Sequence, residues 1–81
     1  MRVKHTPLLN EFISFWFETH VDGELRYETF LDFYRCEWHT CTAGEGGAIV
    51  LRGELDSAMS EDAMVADIKP KVEAAIRDGR I

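Results

Sequence analysis

Residues His20 to Phe30 read HVDGELRYETF, and the Asp22-Gly23 pair near their head fixes where the chain turns back on itself. Asp-Gly between apolar runs favours a tight hairpin turn, because both residues tolerate the positive φ that such a turn requires. The same pair also suits a loop between two amphipathic helices, with Gly23 closing the first. The fold of everything before Trp38 hangs on this choice.

Leu8, Leu9, Phe12, Ile13, Trp16, Phe17, His20 and Val21 recur in adjacent pairs every fourth position, the signature of one helical face. Thr6 supplies an N-cap and Pro7 a first-turn proline, so this period predicts a helix from Pro7 to His20. Tyr27, Phe30, Leu31, Tyr34, Trp38 and Cys41 keep the same period and predict a second helix from Arg26 to Trp38. Phe15 and Phe33 break the two stripes. With a period of two, a loop of Asp22, Gly23 and Glu24 instead pairs Ile13, Phe15, Phe17, Thr19 and Val21 with Phe33, Leu31, Thr29, Tyr27 and Leu25. That face is apolar throughout, but the other then carries Phe12, Trp16, Phe30 and Tyr34, and only the C-terminal segment remains to cover two faces. On that ground the helices are preferred and the hairpin is the alternative.

After Trp38 the texture changes. HTCTAGEGGAIVLRGEL carries glycines at 44, 46 and 47 and then the β-prone run Ile49-Val50-Leu51, which predicts a hairpin or a loop and strand. Ser60 precedes Glu61 and Asp62, a cap followed by first-turn acids, and Met64, Val65, Ile68, Val72, Ala75 and Ile76 carry a helical stripe to Arg77 and Gly79. Pro70 interrupts that stripe without shifting its phase, so a kink is expected there. The expected fold is α+β: two amphipathic helices, a glycine-turned β-hairpin or strand, and a kinked C-terminal helix. An antiparallel β-meander covered by a C-terminal helix is the alternative.

The 81 residues make one small domain, 1–81, and with 46% of them hydrophobic a core can form without covalent staples. The formal net charge of −6 repels a phosphate backbone unless the bases cluster, and Arg26, Arg35 and Arg52 are scattered while Lys69, Lys71, Arg77 and Arg80 alternate with acids. No stretch approaches the ~20 apolar residues of a bilayer span, and Cys36 and Cys41 are too close to build a disulfide framework. A soluble, cytoplasmic protein is expected, with no membrane partner.

The motifs that would carry chemistry are incomplete. DGELRYETF resembles an EF-hand loop and outgoing helix, but with Gly23 at the loop's glycine the third, ninth and last ligand positions fall on His20, Arg26 and Thr29, where carboxyl or carbonyl oxygens are needed. Cys36, His39 and Cys41 in CEWHTC could begin a zinc site with His20 and His5, yet paired C-x-x-C knuckles are absent. AGEGGA lacks the Gly-Lys-Ser/Thr of a phosphate loop, and Ser14, Ser57 and Ser60 lack a nucleophile elbow. No enzyme activity, metal or cofactor is expected.

Two function classes remain. The segment YETFLDFYRCEW resembles, in its aromatic spacing, the winged helix-turn-helix segments of phage-type replication primases, which implies a small DNA-binding protein. A recognition helix rich in bases should then follow, whereas the final helix opens on Glu61 and Asp62. The preferred reading is a non-enzymatic protein-binding module, an adaptor or inhibitor for a basic or nucleic-acid-binding protein. Its candidate anchors are Phe15 and Phe33, ringed by Glu11, Glu18 and Glu37. If the segments are strands, Phe12, Trp16, Phe30 and Tyr34 form the patch, and a homodimer through surplus aromatics is a variant of either case.

Overall fold

The computed structural model describes residues 1–9, 15–44 and 46–81, with the backbone alone at 7–9 and 15. Strands β1 (Val3–Leu9), β2 (Phe15–Val21), β3 (Glu24–Asp32), β4 (Glu37–Thr42) and β5 (Ile49–Glu54) precede helix α1 (Glu61–Arg77). Each strand pairs antiparallel with the one before it, so the sheet is a meander in the order β1-β2-β3-β4-β5.

The two expected N-terminal helices are therefore corrected: the segments Pro7 to His20 and Arg26 to Trp38 contribute to β1, β2, β3 and β4, and α1 is the one helix among the described residues. The physical reason is a period of two that runs through the same residues as the helical stripes. Phe15, Phe17, Thr19 and Val21 keep a period of two, as do Tyr27, Thr29 and Leu31, and aromatic and β-branched residues fit a pleated surface better than a helical one. The adjacent apolar pairs Trp16-Phe17 and Phe30-Leu31 arise because each sends one large side chain to either face of the sheet, and a pair every fourth residue satisfies either period.

Asp22 and Gly23 have φ of 53° and 82°, the positive pair of a type I′ turn, whose twist matches that of the strands it joins. Beyond it Phe15 pairs with Leu31, Phe17 with Thr29 and Thr19 with Tyr27, the register of the hairpin alternative. A shift between Thr19 and His20 then sets His20 against Leu25 and Val21 against Glu24, which shortens the loop to two residues.

One face of the sheet carries Phe17, Val21, Tyr27, Leu31 and Trp38 into a core closed by Met64, Val65, Ile68, Val72 and Ile76 of α1. Burying such side chains stabilises the fold by about 1.5–3 kcal/mol each. Three threonines share this face with no solvent exposure, Thr19, Thr29 and Thr40. Their hydroxyls are satisfied: Thr29 Oγ1 and Thr40 Oγ1 are 2.7 Å apart, and Thr19 Oγ1 lies 2.9 Å from His5 Nδ1.

Helix α1 begins as its sequence signals require. The Ser60 side chain accepts from the Ala63 N–H, and Glu61 and Asp62 face the positive end of the helix dipole. Pro70 lies within the helix on its solvent side, where water can serve the carbonyl of Ala66 that proline leaves without a donor. No helix among the described residues is long and apolar enough to cross a membrane.

Candidate sheet-face binding site

Because side chains alternate along a strand, burying one face of the meander under α1 leaves the residues between on the other. No other described element covers that second face. Its centre is a row running across four strands: Trp16 pairs with Phe30, Phe30 with His39 and His39 with Arg52. The Trp16 and Phe30 rings are 5.7 Å apart at 50°, and Phe30 and His39 stack at 5.4 Å and 27°. Both separations fall in the attractive range for aromatic pairs. All three rings are half-buried.

Carboxylates line both sides of this row. On one side Glu18 pairs directly with Glu28, and on the other Asp32 pairs with Glu37 and Glu37 with Glu54. Like charges directly opposite across a ladder destabilise a sheet. Asp32 has a structural task as well, since its Oδ1 accepts the Tyr34 and Arg35 N–H groups at 3.0 and 3.1 Å and so closes the β3–β4 turn. Glu18, Glu28, Glu37 and Glu54 make no ion pair with any described residue.

Nucleophilic chemistry finds little support here. Cys41 lies opposite Glu28, and burial, with Glu28 adding to it and Arg52 opposing, raises its thiol pKa and keeps it protonated. Cys36 sits exposed in the β3–β4 turn with φ of 51°, its Sγ 3.8 Å from the Phe33 carbonyl oxygen. Among the described residues no three histidine, cysteine or acidic side chains gather where they could hold a metal ion. Cys36, in the turn, does not share the strand position of His39 and Cys41.

The candidate anchors distribute unevenly. Glu18 and Glu37 lie on the open face, one on each side of the aromatic row. Phe33 is in the β3–β4 turn and packs half-buried against the core, while Phe15 opens β2 opposite Leu31. Glu11 lies outside the described residues. Of the patch expected for strands, Trp16 and Phe30 are on the open face, Tyr34 is 93% exposed in the turn, and Phe12 lies outside the described residues. The sequence offers His39 only as a zinc ligand and marks none of Glu28, Glu54 and Arg52 as a site residue. Strand register is the signal that assembles them, and it becomes readable only once the turn at Asp22-Gly23 is assigned. Comparison with protein-family models, curated proteins and solved structures finds no match to this chain.

Proposed function

We propose that this chain is a non-enzymatic protein-binding module whose open sheet face docks a basic segment of a partner. The observation that carries the reading is the aromatic row Trp16–Phe30–His39 set between the Glu18–Glu28 and Glu37–Glu54 pairs. Arginine suits such a surface, because its guanidinium stacks on aromatic faces and bonds carboxylates at its edge. A basic segment would also relieve the repulsion between paired acids, so binding and sheet stability reinforce each other. The same charges disfavour two copies meeting face to face.

A second reading rests on the row itself. Aromatic side chains across an antiparallel sheet, with Arg52 at one end, are a platform on which bases of single-stranded nucleic acid can stack. With one helix among the described residues, the helix pair of a winged-helix domain is not found there, so any nucleic-acid binding is argued from the sheet.

Two titrations separate the readings. A short arginine-rich peptide should shift the amides of residues 16–18, 28–30 and 37–39, and Glu18→Gln should weaken its binding. A labelled oligothymidylate should bind more tightly to that variant if the platform is for nucleic acid, because a repelling charge has been removed. Failure of the peptide to perturb this face at low salt overturns the protein-binding reading.

A further inference from the structure

A second site lies at the far corner of the open face, apart from the aromatic row. There Arg2, just before β1, and Lys4 and Thr6 within it meet His20 of β2 and the Asp22-Gly23 turn around a cavity of about 650 Å³. Lys4 is paired directly with His20 across the ladder. In a chain of net charge −6, and with Glu18 beside this corner, paired with Thr6, the residues lining it carry two cations against one carboxylate.

That carboxylate is already engaged. Asp22 Oδ1 accepts the Arg2 backbone N–H at 2.8 Å, and the Arg2 carbonyl accepts the Asp22 N–H at 2.8 Å, so the two residues clamp the chain start to the turn. The guanidinium of Arg2 and the ammonium of Lys4 form no ion pair with any described residue. His20 Nδ1 is buried and has no hydrogen-bond partner among the described residues, which native structures seldom leave unexplained. Turning the imidazole about its Cβ–Cγ bond exchanges Nδ1 with a carbon and brings a donor to a different side of the ring.

We infer that this corner is an oxyanion site, formed by Arg2, Lys4, Thr6 and His20, that takes a phosphate group. Guanidinium, ammonium and hydroxyl donors are the set that phosphate oxygens accept from, and a cavity of this volume admits a phosphate either free or carried on a small molecule. The site does not depend on the use of the aromatic row.

The test is a titration with inorganic phosphate at constant ionic strength, chloride replacing it in the control, followed through the backbone amides and the His20 ring nitrogens. Saturable shifts at Lys4, Thr6, His20 and Gly23 are expected. Lys4→Gln, at an exposed position, should weaken them about tenfold, the loss of one charge-assisted hydrogen bond. Lys71→Gln on the exposed side of α1 should leave them unchanged. A nucleoside monophosphate titrated in parallel identifies the source: tighter binding than inorganic phosphate points to a carried phosphate, equal binding to the free ion. Shifts that grow linearly, spread over every cationic residue, or survive Lys4→Gln overturn the proposal.

Discussion

The indole of Trp38 on β4 fills the space in which a side chain at Gly53, its directly paired residue on β5, would begin. A Cβ at Gly53 would overlap the Nε1, Cε2 and Cζ2 atoms of that ring. Gly53 is thus required by packing, since its φ lies outside the left-handed region. Gly53→Ala should destabilise the protein by about 1–3 kcal/mol, the usual cost of overpacking. In urea unfolding, Gly53→Ala combined with Trp38→Val should cost less than the two changes summed. Strict additivity would show that the contact is not the cause.

The buried hydroxyl pair Thr29 and Thr40 makes a different kind of demand. Removing one hydroxyl leaves the other desolvated and without its side-chain partner, which costs about 1–3 kcal/mol, whereas removing both leaves nothing unsatisfied. Thr40→Val should therefore lower stability more than the double change Thr29→Val with Thr40→Val. A double variant less stable than the single would mean that the hydroxyls bond elsewhere.

The Asp22-Gly23 turn tests the correction of the fold directly. Gly23 has open space around an added Cβ but a φ of 82°, so the cost of Gly23→Ala is conformational, about 1–2 kcal/mol. Asp22→Asn should be tolerated by the turn, since asparagine accepts positive φ and keeps an oxygen for the Arg2 N–H. Equal stability of Gly23→Ala and the parent would argue against a type I′ turn.

How far such features could be read beforehand depends on what each one needs. Helix α1 was legible from Ser60 to Arg77 because its cap, its acids and its stripe are all local. The strand Ile49–Glu54 was legible for the same reason: glycines before it and β-branched residues within it. The segments before Trp38 were not, because Trp16 and Phe30 put large aromatic side chains on the open face too, next in sequence to the buried Phe17 and Leu31, and such adjacent pairs imitate a helical stripe. The candidate site shared that fate. Glu18 and Glu37 could be suspected singly, but their partners Glu28 and Glu54 are ten and seventeen positions away and are joined to them only by register.

His5 gives the fold a pH dependence. Its ring stands 5.4 Å from Phe17, edge to face, beneath α1, and burial lowers its pKa below the ordinary 6.5, with Glu73 pulling it up and Lys69 pushing it further down. The folded pKa thus lies below the unfolded one, so the unfolded chain binds the proton first as the pH falls. Stability is lost from the unfolded pKa downward and levels off below the folded one. Thermal unfolding followed from about pH 7.5 to about pH 5.5 should show a steeper loss for the parent than for His5→Gln. Parallel curves would remove His5 as the cause.

Glu18 and Glu28 face each other across β2 and β3, and the proposed function makes their repulsion useful. Without a partner, Glu28→Gln should raise stability by about 0.2–1 kcal/mol, because one of two directly opposed charges is removed. The same change should lower the thiol pKa of Cys41, since Glu28 helps to raise it, and speed its alkylation at neutral pH. Binding of the arginine-rich peptide should weaken at the same time. Stabilisation without any loss of peptide binding would leave the acids as surface solvation only, and the open face would have to be explained through Trp16, Phe30 and His39 alone.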